Sequence, residues 1–267
     1  MVTTQQLTST ADNKPQITWE ALPDDFQLED DPVENNGQPL LAGALREILE
    51  LAGFIQPQML MVSNFGLCAT LDGKIVVKAP DWLYVPSIIS LDVGRMTKIR
   101  RSYTPNLEGE IPQVVMEFLS DTDGEEYSQK STLPPGKWFF FEQVLKVPIY
   151  VIFEPKAGRL EVYGLESEIY QPATPDAEGR YWIASMGLFL GTWWGYKEGH
   201  EWHWLRWWDA SGNLLPWAVE SLAQAQQLAE QAQQFAEQER QRATQQQQRA
   251  ERLAALLRSQ GIDPDNL

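Results

Sequence analysis

Residues 112–120 read Pro-Gln-Val-Val-Met-Glu-Phe-Leu-Ser, an apolar run with a single acid, Glu117, set inside it. Valine, methionine and phenylalanine at this density predict a buried strand over Gln113 to Leu119. An ionised carboxylate inside such a strand is expensive unless a cation or hydrogen-bond donors compensate it. Glu117 therefore needs an explanation that a surface glutamate would not.

Working outward from Glu117, the upstream segment Ala79-Pro80-Asp81-Trp82-Leu83-Tyr84-Val85 places a second acid at the head of another strand-like run, Leu83 to Ile89. Downstream, Pro134-Pro135-Gly136 precedes KWFFFEQVLK, residues 137–146, and Pro148 follows it, which predicts a short helix begun just past a proline turn. That helix connects the Glu117 strand to an apolar run at Ile149 to Phe153. Further strands are predicted at Leu60 to Val62, Lys74 to Val77 and Leu160 to Gly164, with Glu154-Pro155-Lys156-Ala157-Gly158 as a tight hairpin connection. From Pro39 to Gly53 the sequence puts Leu41, Ala44, Leu45, Ile48 and Leu51 on one face of an amphipathic helix. Strand, helical crossover and strand favour an α/β fold with a mixed central sheet and flanking helices over an all-β barrel.

Three regions of distinct composition follow. Residues 1–36 carry eight acids against Lys14 alone and contain Pro15, Pro23 and Pro32, so they read as an acidic arm, extended or disordered until it docks. Residues 37–216 hold the α/β pattern and end in a tryptophan-rich stretch. Trp182 to Phe189 and Trp202 to Trp208 there read as strands added at the sheet edge, their aromatics covering the outer sheet. A stacking surface for bases or sugars is the alternative. Residues 217–267 change abruptly to Ala, Gln, Glu and Arg. From 218 to 257, positions alternately four and three apart are mostly alanine, interrupted by Glu239 and Gln246, which predicts a long heptad helix. Such a seam buries little area, so a solvated tail and a loose coiled-coil homodimer both fit it.

The net charge of −16 opposes broad attraction to nucleic acid, but much of it belongs to the arm. Lys74, Lys78, Arg95, Lys98, Arg100, Arg101, Lys130 and Lys137 leave room for a local basic face, although a mixed solvated surface is the preferred reading of such scattered charges. No apolar run approaches the roughly 20 residues that span a bilayer, and the opening residues show neither a basic nor an apolar leader region. The expectation is a soluble, cytoplasmic protein without a membrane partner. The single Cys68 reads as a small core residue.

Asp81 and Glu117 together could hold a divalent ion such as Mg²⁺, or Mn²⁺ in its place, and one or two carboxylates with waters suffice for that ion. A lysine nearby, Lys130 or Lys137, could then orient the attacking water or stabilise negative charge on a phosphate. Simpler roles compete with these: Asp81 as a cap for the turn before its strand, Glu117 as the partner of a buried lysine. Ser120 reads as a loop cap. His200 and His203 could offer imidazoles to a metal, but packing roles are preferred because no third ligand lies nearby in the chain.

The ordered series PDWLYV, PQVVMEFLS, Lys137 four residues before Phe141, KVPIYVIFEP and LEVYGL resembles the Uma-type restriction endonuclease family of bacterial domains, within the PD-(D/E)XK nuclease superfamily. The resemblance covers roughly residues 35–165. It implies a restriction-endonuclease-like core with DNA as substrate, in which Asp81 matches the Pro-Asp acid and Glu117 the second acid. It also implies a helix glutamate, Glu47 or Glu50. A strict motif would put lysine at 119, where this chain has Leu119. Family members carry the lysine on the following helix, which favours Lys137 over Lys130. The acidic loop 121–126 is a departure that weighs against phosphate binding. The expected function is metal-dependent hydrolysis of DNA phosphodiesters. The competing expectations are a catalytically degenerate nuclease fold serving as a binding or scaffold module, and a carbohydrate-binding tryptophan surface.

Overall fold

The computed structural model describes residues 16–20, 37–89, 101–120 and 126–260. The chain divides into two compact units, Met1–Leu215 and Pro216–Leu267. The rest of the acidic arm, Arg95, Lys98 and Arg100, and most of the acidic loop lie outside the described residues.

The first unit is built on a six-stranded mixed sheet. Its strands are β2 (Leu60–Val62), β5 (Trp82–Val85), β7 (Val114–Phe118), β8 (Ile149–Glu154), β9 (Arg159–Glu166) and β10 (Ile169–Pro172), in the order β10-β9-β8-β7-β5-β2. β7 and β8 are parallel, and every other neighbouring pair is antiparallel. A parallel pair needs a crossover. It is supplied by α2 (Lys137–Phe139), which widens into a π-helical turn over Phe140–Leu145. The proline-bounded segment therefore folds as the sequence predicts, and the mixed α/β core is present.

Alternation along the strands decides what each face of the sheet does. Leu83, Val85, Val115, Tyr150 and Ile152 point to one face and join Phe141, Val144 and Leu145 of the crossover in one buried cluster. Leu67, Ala69, Leu71, Val76 and Tyr103 belong to the same cluster. They come from a smaller sheet of β1 (Ile17–Thr18), β3 (Gly66–Leu71), β4 (Lys74–Lys78) and β6 (Ser102–Tyr103). On the opposite face Trp82 lies 6.1 Å from Trp207, and Tyr84 lies 5.9 Å from Phe54.

Several elements differ from the sequence expectation. The buried strand β3 was legible only at Cys68, because its mixture of small residues has no period; all six residues are buried. β5 ends at Val85 rather than Ile89, since Pro86 cannot donate to the ladder. In α1 (Gly37–Leu51) Leu41, Ala44, Leu45 and Ile48 are buried as expected, but Leu51, in the last turn, is 52% exposed.

The tryptophan-rich strands do not extend the edge of the central sheet. They form a separate antiparallel sheet of β11 (Tyr181–Ile183), β12 (Leu188–Lys197) and β13 (His200–Trp208). Glu198 and Gly199 both adopt positive φ, 51° and 84°, the left-handed pair that closes a two-residue hairpin. This sheet docks through Trp207 on Trp82 and through an ion pair of 2.6 Å between Lys197 on β12 and Glu47 on α1. Trp204 and Trp207 are fully buried, which is the covering role expected of the aromatics.

The second unit is one helix, α3 (Ala218–Ser259), 42 residues long. Its N-cap backbone is closed by Glu220, whose carboxylate accepts from the Trp217 N–H at 2.8 Å. Among the described residues no helix is long and apolar enough to cross a membrane.

Candidate active site

Antiparallel pairing of β5 with β7 sets Trp82 opposite Met116 and Leu83 opposite Val115, so one further step brings Asp81 opposite Glu117. Both acids share the parity of Leu83 and Val115 and therefore lie on the face covered by the crossover. Lys137 opens α2 on that same face. Its Nζ stands 3.0 Å from Glu117 Oε2 and 3.6 Å from Glu126 Oε1. The structure thus brings Asp81, Glu117 and Lys137 together. Lys130 is exposed, and its contribution here is a carbonyl that accepts from the Gly136 N–H at 2.9 Å.

Asp81 is fixed by the strand beside it. Its Oδ2 accepts from the Phe118 N–H at 2.5 Å, so it closes the end of the β5–β7 pairing while lying next to Glu117. The capping role and the site position are held by one carboxylate. Gln38, at the start of α1, donates to the Phe118 carbonyl at 2.9 Å and approaches Asp81 Oδ2 at 3.5 Å. The glutamate that the resemblance places on this helix is not here. Glu47 is engaged by Lys197, and Glu50 is exposed. Helical spacing explains this: from Gln38, nine and twelve residues lead more than two turns away from the site.

Glu126 was not singled out by the sequence, in which it is one more acid in a polar loop. It is nonetheless only 4% exposed. Tyr150 on β8 donates to its carbonyl at 2.9 Å, and Tyr127 stacks on Trp138 of α2. Gly136 allows this approach, because a Cβ there would lie 2.1 Å from the Ser128 carbonyl oxygen. The one signal available in the sequence was Gly136 directly before a helix-opening lysine. Gly136→Ala is expected to push the 126–128 segment away and destabilise the protein by roughly 1–3 kcal/mol, the usual cost of overpacking. Thermal unfolding of that variant checks it.

The electrostatics follow from burial. Glu117 is 1% exposed, and burial pushes its carboxyl well above the usual range. Lys137 pulls it down, while Asp81 and Glu126 push it further up. For Lys137 burial works to discharge the ammonium, but Glu117, Asp81 and Glu126 outweigh it and hold the group charged, above its ordinary value. Three carboxylates therefore face one ammonium. Glu117 Oε1 and Glu126 Oε2 are buried with no hydrogen-bond partner among the described residues. Two orphaned carboxylate oxygens and a surplus of negative charge suit a hard divalent cation, which takes oxygen ligands. Among the described residues no three His, Cys, Asp or Glu side chains are placed to hold a metal ion together, so an ion here would have two carboxylates at most and would take the rest of its shell from water or substrate.

The histidines take no part in this site. Their odd spacing on β13 sends them to opposite faces. His203 Nδ1 lies 3.3 Å from the Pro155 carbonyl oxygen, and the His200 ring stacks on Trp202. Cys68 is buried, and its thiol is pushed up to about 11 chiefly by desolvation, so it remains a protonated core group.

The family model described as Uma2, putative restriction endonuclease, matches residues 41–195, a span that contains Asp81, Glu117, Glu126 and Lys137. It extends past the residues that carried the resemblance and takes in β11 and most of β12. No curated protein matches the chain. With more than half of its length matched, the chain belongs to the Uma2 family of putative restriction endonucleases.

Proposed function

We propose that this protein is a divalent-metal-dependent endonuclease that hydrolyses DNA phosphodiester bonds, with Asp81 and Glu117 as the metal-binding acids and Lys137 as the third active group. The observation that carries the reading is the state of Glu117: buried, opposite Asp81, with one oxygen on Lys137 and the other without a hydrogen-bond partner among the described residues. A structural ion pair would account for the first oxygen and leave the second unexplained.

Mg²⁺ or Mn²⁺ held by Asp81 and Glu117 would neutralise phosphate charge and lower the pKa of its water. The residues do the rest. The Phe118 N–H holds Asp81 in place, so its carboxylate does not have to be ordered when substrate arrives. Lys137 is held charged by the acids around it, which makes it a hydrogen-bond donor rather than a proton acceptor. Its role is to stabilise the negative charge that builds on the phosphate oxygens as water adds to phosphorus and a P–O ester bond breaks. The attacking water gives up its proton to bulk water, and the leaving oxygen takes one up from bulk water as the bond is lost.

Supercoiled plasmid DNA with Mg²⁺ or Mn²⁺ tests this. Nicking that a chelator stops, and that Asp81→Ala and Glu117→Ala both abolish, is the expected result. Wild type and both variants behaving alike with every metal would sink the enzyme reading. The strongly acidic chain would then fit a nuclease fold retained for binding or scaffolding.

A further inference from the structure

No residue of α3 is buried, and Leu222, Leu228, Phe235, Leu253 and Leu256 are each more than half exposed. In the heptad frame these five occupy the seam or its immediate flank, on one side of a helix roughly 63 Å long at 1.5 Å per residue. Large apolar side chains exposed on one side of a solvated helix, at both of its ends, mark an interaction surface. We propose that α3 pairs with α3 of a second copy of this chain, and that the two helices run antiparallel.

The direction is set by charge. Between 218 and 239 the helix carries Glu220, Glu230, Glu237 and Glu239 and no Lys or Arg. Between 240 and 259 it carries five arginines, Arg240, Arg242, Arg249, Arg252 and Arg258, against Glu251 alone. A parallel pair in register would lay acid along acid and arginine along arginine for the whole length. An antiparallel pair lays each acidic half along the basic half of its partner, and also opposes the helix dipoles.

Three of the seam's six layers pair like with like in this orientation. About the midpoint between Glu237 and Gln238 the four-three spacing is symmetric, so Leu222 meets Leu253, Ala225 meets Ala250 and Ala232 meets Ala243. Leu222 packs on Leu253, Leu257 lies over the small Ala218, and alanines let the backbones approach between them, where Ala229 faces Gln246 and Ala236 faces Glu239. Glu239, the charged residue on the seam, turns its carboxylate out to Arg242 at 2.8 Å and keeps its charge at the rim. An alanine seam buries little surface, so the dimer is weak and depends on concentration and salt.

Cross-linking of the full chain tests the proposal. Leu222→Cys and Leu253→Cys are made separately, and the native Cys68 is buried and so contributes little background. After oxidation the mixture of the two variants is expected to give a disulfide-linked dimer several-fold in excess of either variant alone, and high salt is expected to reduce it. Cross-linking of each variant with itself, as a parallel pair would show, overturns the antiparallel assignment. A wild-type chain that sediments as a monomer at every attainable concentration, with no cross-link in the mixture, overturns the pairing altogether. Neither result bears on the nuclease reading, which concerns the other unit.

Discussion

Lys137→Met is expected to lower DNA cleavage roughly a hundred- to ten-thousandfold, the range lost when a positioned charge-stabilising or proton-handling group is removed. At neutral pH it should also cost about 3 kcal/mol of stability, because removing one partner of a buried pair strands the other. Glu117 is the group stranded. Its Oε2 loses its donor at 3.0 Å, and without the ammonium, burial, Asp81 and Glu126 together push its carboxyl further up. The stability loss should shrink as pH falls, since a protonated Glu117 needs no counter-ion. Lys137→Arg should separate the two roles: it keeps the charge and most of the stability, but its planar fork cannot reproduce the point contact, so cleavage should stay low. Plasmid nicking and denaturant unfolding of both variants at two pH values measure this. A Lys137→Met protein that cleaves and unfolds like wild type would remove Lys137 from the site.

Metal ions are expected to stabilise the protein more as pH rises. The Glu117 carboxyl lies above its ordinary value in the native state, so the folded protein holds that proton more tightly than the unfolded chain does. Its contribution to stability is therefore complete below the unfolded value of roughly 4.3 and is lost as pH climbs towards the folded value. Lys137, raised in the native state, contributes a stability that is complete throughout this window and is lost only on the far alkaline side, so it leaves the pH dependence here unaffected. A divalent ion binds the ionised carboxylate and reverses the loss. With Mn²⁺ at a hundred times its dissociation constant the gain is about 2.7 kcal/mol. For a chain of this size that raises the melting temperature by roughly 5–10 °C. The shift should be small near pH 4.5, large near pH 8, and nearly absent at both in Glu117→Gln. Melting curves with and without Mn²⁺ decide it. An equal shift in wild type and Glu117→Gln would place the ion elsewhere.

Much of the core was legible because local patterns wrote it. Pro134-Pro135-Gly136 before an aromatic helix, with an apolar strand on either side, specifies a crossover and hence a parallel pair. The resulting β7–α2–β8 unit is the centre of the fold. Glu117 was legible for the same reason, as an acid in a strand whose other residues demand burial. Lys137 was favoured over Lys130 through the resemblance, and the structure places its ammonium on Glu117. Illegible from the chain were β3, whose residues lack a period, and the separate aromatic sheet, since an alternating strand does not state which sheet it joins.

The sequence by itself determined that Glu117 is buried, that a short helix bridges its strand to the next, and that a long heptad helix follows. These depend on residues within one or two turns of each other along the chain. Only the tertiary structure decided that Asp81 stands opposite Glu117, that Gln38 rather than Glu47 or Glu50 comes from α1, and that Glu126 is drawn in beside Lys137. Each of those depends on strand register or on a loop clamped by Tyr150 and Gly136, and register is fixed by the packing of a whole face rather than by any one segment.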